Sequence, residues 1–173
     1  MSHSTVEAAA DIRKLLKKAY GITSKQVSVR CHLYSMGSSI YIQIHDPAVD
    51  LKEVENVCNP KENVSYDQFG DILSGGNRFV DAKYSSKAVA IFYEQHKTMI
   101  DRMVAAKPAK GIDTWTEDPE CGMGLAWKDG HILGLYSKTG FLRWVSHYEG
   151  HEAITLAEAL LINWKTNPEP SMV

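Results

Sequence analysis

The sequence predicts an α+β fold in which antiparallel sheets pack against helices. Three observations carry that expectation. Residues 27–33 and 39–45 alternate apolar and polar side chains across a serine and glycine turn, as two strands of a hairpin do. Four stretches repeat apolar residues at helical spacing, and the chain beyond residue 111 consists of short apolar runs separated by Asp-Gly and Thr-Gly. The predicted order is α-β-β-α-β-α, then β-β-β-α.

The first helix is read over residues 5–19, where Val6, Ala9, Ala10, Ile12, Leu15, Leu16 and Ala19 recur at helical intervals. Ser4 or Thr5 supplies its cap, and Tyr20-Gly21 ends it. In the hairpin, Val27, Val29 and Cys31 alternate with Ser28, Arg30 and His32, and Ile40, Ile42 and Ile44 alternate in the returning strand. Tyr34-Ser35-Met36-Gly37-Ser38 makes the turn. Asp46-Pro47 stops the second strand, because proline lacks the ladder donor and restricts the residue before it. A short helix follows from near Asp50 to Cys58, closed by Asn59-Pro60.

Residues 61–77 are polar, with Tyr66 and Phe69 expected to tuck back against the core, and Arg78 to Tyr84 returns as a strand. A long core helix is predicted over 86–106, and Lys107-Pro108-Ala109-Lys110-Gly111 breaks it. That breaker is the expected boundary between a module of residues 1–106 and a second of residues 112–166, with 167–173 a frayed tail. In the second module Gly122–Trp127, His131–Tyr136 and Phe141–Ser146 read as a three-stranded meander, followed by a helix over 152–164.

With 173 residues the chain can hold one ordinary domain or two small ones. A hydrophobic share of 44% with 23% charged residues places it among folding chains. A formal charge of −2 lacks the overall basic footprint of a protein that coats nucleic acid, while leaving room for a local basic patch. No run reaches the roughly 18 to 20 apolar residues of a membrane span, so no membrane partner and a cytoplasmic location are expected. Cys31, Cys58 and Cys121 are odd in number and widely spaced, which suits buried thiols better than disulfides or a zinc ribbon.

Several residue sets bear on function. Arg30, His32, Tyr41, Gln43 and His45 share the polar side of the first sheet, either as a binding face with Tyr34 beside it or as an ordinary solvated surface. Arg13, Lys14, Lys17 and Lys18 form the densest basic cluster, able to face phosphates or simply to complement the helix dipole. Trp127 and Trp144, with Trp115 and Trp164, are either core or anchors for a partner. His147 and His151 stand four apart near Glu149 and Glu152, but Gly150 lies between them before the expected helix start, so no metal site is predicted. Asp67, Asp71 and Asp81 have no spacing that fixes them on one face. Neither a nucleophile elbow nor a phosphate-cradling loop is present, and no cofactor is expected.

The run V-S-V-R, then Y-S-M-G-S-S-I-Y-I-Q-I-H-D-P, V-E-N-V, the Asp67 and Asp71 region and G-N-R-F-V resembles a large polyvalent protein associated domain. Such domains are small α+β modules of phages, plasmids and conjugative elements. The resemblance covers the first half. It departs in having His45 and Asp46-Pro47 where such domains often carry a tryptophan and a D-G-P turn, and in lacking a D-G-M-x-D run near Asp67. The resemblance implies a mobile-element protein of a bacterial host cell and carries no catalytic residues over. Three functions follow as expectations. The first is an interaction protein, such as a counter-defence inhibitor of CRISPR or restriction, that occludes a host protein or complex through the two sets Arg30, His32, Tyr34, Tyr41, Gln43, His45 and Trp127, Trp144. The second is a nucleic-acid-binding accessory protein using Arg13, Lys14, Lys17 and Lys18 with the sheet face. The third is a small metal-dependent hydrolase or nuclease using Asp67, Asp71, His147 or His151.

Overall fold

A computed structural model describes residues 4–35, 37–73, 76–137, 140–145 and 151–164, and of Trp164 the backbone alone. Met36, Thr139, Ser146, His147, Glu149, Gly150 and the tail beyond Thr166 lie outside the described residues. The chain divides into two compact units, Met1–Ala88 and Val89–Val173. The α+β class holds, with four helices and two sheets among the described residues.

In the first unit, α1 (Thr5–Tyr20) starts at a capping box: the Glu7 amide donates to Ser4 Oγ (3.2 Å) and the Ser4 amide to Glu7 Oε2 (2.8 Å). It stops at Gly21, whose φ of 69° is open to glycine without a Cβ penalty. Ala8, Ala9, Ile12 and Leu16 form its buried face. β1 (Val27–Tyr34) and β2 (Gly37–Ile44) make the expected hairpin, with Val27, Val29 and Cys31 opposite Ile44, Ile42 and Ile40. The three isoleucines are 0% exposed and form the centre of the unit.

α2 (Leu51–Cys58) is capped by Asp50, which accepts from the Lys52 amide (2.9 Å), and runs into a 3-10 turn at Asn59–Lys61. β3 (Asn77–Tyr84) then pairs with β2 in parallel, giving the order β1-β2-β3. This departs from the all-antiparallel expectation. A helix between two strands returns the chain to the end where it began, so the crossover through α2 sets β3 alongside β2 in the same direction.

The segment before β3 also differs from expectation. Phe69 is 81% exposed and Tyr66 is exposed, so neither tucks into the core. The segment holds itself instead. Asp67 Oδ1 accepts from the amides of Phe69 (2.8 Å) and Asp71 (2.9 Å), and Tyr66 bridges Ile72. Buried Asn77 ties it to β3, accepting from the Ser65 amide (3.0 Å) and donating to the Leu73 carbonyl (2.6 Å).

α3 (Ser86–Ala105) ends before Lys107 as predicted, and its backbone leaves helical values at His96 (φ −117°, ψ 18°). In the second unit four strands, β4 (Thr114–Asp118), β5 (Met123–Lys128), β6 (His131–Ser137) and β7 (Gly140–Trp144), form an antiparallel meander in chain order. β4 was not expected. Asp129 and Gly130, both at positive φ (50° and 76°), make the β5–β6 turn that Asp-Gly announced. α4 (Glu152–Trp164) packs on β6 and β7, where its Leu156, Ala157, Leu160 and Leu161 are buried, as are Leu125, Trp127, Ile132 and Leu135 of the sheet. Among the described residues, no helix is long and apolar enough to cross a membrane.

Candidate interaction surfaces

On the first sheet the hairpin register sets Arg30 opposite Tyr41, His32 opposite Ser39 and Ser28 opposite Gln43, so these residues share the outer face. Parallel pairing continues those three rows onto β3, Ser39 to Phe79, Tyr41 to Asp81 and Gln43 to Lys83. Lys83 Nζ and Asp81 Oδ2 lie 3.8 Å apart in the open. Arg30, His32 and Tyr41 are exposed and Gln43 half-buried. His45 has a different post. Its Nδ1 is 3.0 Å from Ser85 Oγ and its Nε2 3.0 Å from Ser28 Oγ, so both ring nitrogens pin strand ends together. Tyr34 lies over Gly37, donating to the Ser38 carbonyl (3.2 Å) and accepting from Ser39 Oγ (3.3 Å).

The basic cluster of α1 separates. Arg13 sends its guanidinium to the Val29 carbonyl, while Lys14, Lys17 and Lys18 are exposed. Lys17 and Lys18 stand in the last turn, where cations favour the negative end of the helix dipole.

The outer face of the second sheet is aromatic. Trp115 and Tyr136 meet edge to face at 4.7 Å, Tyr136 and Phe141 at 5.1 Å, and Phe141 and Trp144 at 4.9 Å between ring centroids. The four rings run in an unbroken row from β4 to β7. Gly124 of β5 and Gly134 of β6 are its floor: a Cβ at Gly124 would meet the Trp115 ring at 2.2 Å, and one at Gly134 would meet Tyr136 and Phe141 at 3.1 Å. Trp144 is 68% exposed, and Trp115 and Phe141 are exposed as well. Trp127 does not belong to this surface. It is 2% exposed, with Nε1 donating to Thr116 Oγ1 (2.7 Å), because β5 points it to the inner face beside Leu125. As a contact residue for a partner it is therefore withdrawn.

The row could have been sought from sequence. A glycine inside a strand often marks the close approach of another group, and Gly124 and Gly134 each fall inside an apolar run. Exposed Tyr66, Phe69, Ile72 and Leu73 make a further apolar group on the segment before β3.

The family described as large polyvalent protein associated domain 29 matches residues 3–104. The chain belongs to this family. Large polyvalent protein associated domain 29 is associated with phage and mobile-element proteins. Its match takes in α1 to α3, so the Arg30 and Tyr41 face lies within the polyvalent-protein segment and the aromatic row beyond it. Among curated proteins and among solved structures no match is found.

Within the polyvalent-protein segment two titratable groups are buried in the packing, Cys58 and Tyr84. Burial pushes the Cys58 thiol up to about 11 and the Tyr84 phenol to about 12, the latter donating to the Val49 carbonyl (2.8 Å). Asp67 is spent on the turn amides described above. Beyond the segment, Asp118 is buried. Burial works to raise its carboxyl, yet the bidentate Arg102 guanidinium and the amides of Cys121 and Glu120 hold it below the usual range. Arg102 also meets Glu120 (2.7 Å). Burial pushes the Cys121 thiol up to about 11. Among the described residues no group of three or more His, Cys, Asp or Glu side chains could hold a metal ion. His151 is exposed.

Proposed function

We propose that the protein is a mobile-element-encoded interaction factor of the counter-defence kind, an inhibitor of CRISPR or restriction that works by covering a surface of a host protein. The observation that carries this reading is the aromatic row Trp115–Tyr136–Phe141–Trp144 on an open sheet face. Rigid aromatic side chains supply large contact area at small entropic cost, and they dominate the anchors of protein interfaces. A monomer gains nothing from leaving Trp144 and Phe141 in water. The Arg30, His32 and Tyr41 face supplies a second, polar surface suited to steering and register.

The test is capture from host lysate, followed by rebinding of the purified partner to wild type and to a Phe141→Ala/Trp144→Ala double variant. Loss of rebinding with unchanged folding supports the reading. Rebinding at full strength, or turnover of a substrate by the protein itself, overturns it. Arg30→Ala and Tyr41→Ala report on the polar face in the same assay.

Exposed Lys14, Lys17 and Lys18 favour a second reading, binding to nucleic acid. Titration of labelled DNA and RNA at low and physiological salt separates the two. Phosphate contact predicts weakening by orders of magnitude as salt rises, and absence of binding at low salt removes this reading.

A further inference from the structure

We propose that the free edge of β1 is a docking site for an extended, acidic strand of a partner protein, which joins the first sheet as a fourth strand. β1 pairs with β2 and, among the described residues, has no strand on its other side. The direction of its backbone groups follows from two neighbours. The His45 amide donates to the Gln26 carbonyl (2.7 Å), one step past the Val27 and Ile44 pair, so even-numbered residues turn toward β2 and odd-numbered ones outward. The Val27 amide accordingly donates to Thr23 O in the preceding turn (3.0 Å), and the Val29 carbonyl accepts from Arg13.

Among the described residues, that cover stops past Val29. The amides and carbonyls of Cys31 and Leu33 face outward, Cys31 is half-buried and Leu33 is 66% exposed. The opposite edge of the sheet is covered along the first half of β3. Asn63 and Arg78 exchange both backbone bonds (2.9 and 2.7 Å), and Glu62 Oε2 accepts from the Val80 amide (3.2 Å). A row of outward donors and acceptors at strand spacing is complementary to another extended backbone.

Charge selects the occupant. Arg30 and His32 are exposed on β1, the strand carries no carboxylate, and Arg13 stands at its base. An incoming strand with acidic residues at alternate positions sets them beside Arg30 and His32 and its apolar residues beside Cys31 and Leu33. A second copy of this chain is a poor occupant. Antiparallel self-pairing centred on Cys31 sets Arg30 of each copy against His32 of the other, twice, without a compensating acid. The site lies apart in sequence from the aromatic row and rests on different observations, so either reading can fail alone.

Fluorescence anisotropy tests it with three labelled eight-residue peptides: alternating valine and glutamate, alternating valine and lysine, and the valine–glutamate peptide N-methylated at alternate amides. Leu33→Pro is the matching variant, since it deletes an amide that points away from β2 and leaves the β1–β2 ladder intact. The valine–glutamate peptide is expected to bind wild type, with about a tenfold loss on Leu33→Pro and at least as much on N-methylation. Arg30→Ala narrows its advantage over the lysine peptide. No binding at millimolar peptide, equal binding of the N-methylated peptide, or a wild-type dimer in sedimentation that Leu33→Pro dissolves would each overturn the proposal. Should Leu33→Pro fail to fold by circular dichroism, the N-methylated peptide on wild type decides.

Discussion

Replacing Gly124 by alanine lifts Trp115 off the sheet without altering any aromatic residue. The new Cβ would lie 2.2 Å from Trp115 Cζ2 and 2.7 Å from Cε2, so the indole must retreat by about an ångström to regain an ordinary 3.4 Å contact. Its outer side faces water, which leaves it room to move. The retreat breaks the edge contact with Tyr136, worth about 0.5–1.5 kcal/mol. Alanine in place of glycine returns about 0.4–1 kcal/mol by narrowing the unfolded chain, because no positive φ is required at this position. The net loss is therefore small, about 0–1 kcal/mol. Urea unfolding followed by far-UV circular dichroism measures it, and near-UV circular dichroism reads the aromatic coupling. The expected result is a nearly unchanged midpoint with a reduced near-UV signal. A loss of about 3 kcal/mol or more would mean a ring fixed as firmly as a core side chain, and an unchanged near-UV spectrum would mean that no ring moved; either refutes the reasoning.

Three other outcomes follow from the same geometry. Trp127→Ala should cost about 3–5 kcal/mol in urea unfolding and Trp144→Ala no more than about 1.5, since one ring is core and the other loses only its contact with Phe141. Asp118 has a folded-state pKa below its unfolded one, so its stabilising effect is complete above the unfolded value and is lost as pH falls through the folded one. The urea midpoint of wild type should accordingly exceed that of Asp118→Asn near neutrality, and the two should converge only below about pH 3.8. With burial holding their thiols near 11, Cys58 and Cys121 should resist a thiol reagent at pH 8 in the folded protein, while half-buried Cys31 reacts first.

The elements that were legible in sequence are those whose pattern is local. Ile40, Ile42 and Ile44 announce a strand by alternation alone, and Ser4 or Thr5 before an apolar helical repeat announces a helix start. The parallel pairing of β3 was hidden because strand direction is set by the crossover, which no window of residues contains. β4 was hidden because Thr114-Trp115-Thr116-Glu117-Asp118 puts threonines on the inner face and tryptophan on the outer, inverting the usual code. The same inversion concealed the aromatic row. Trp127 and Trp144 look alike in sequence, and only the meander's register sends one inward and the other to solvent. Arg13, one of the four cations of the α1 cluster, was separable from Lys14, Lys17 and Lys18 only once β1 offered it a carbonyl.

The stretch shared with the family ends at residue 104, whereas the compact units divide between Ala88 and Val89. Buried Ile100 and Met103 thus travel with the inherited segment while belonging to the compact unit that follows it. A genetic exchange that swapped whatever lies downstream of residue 104 would have to supply new apolar contacts for those two side chains. Whatever follows the family segment in its relatives should therefore offer an apolar seat for those two side chains.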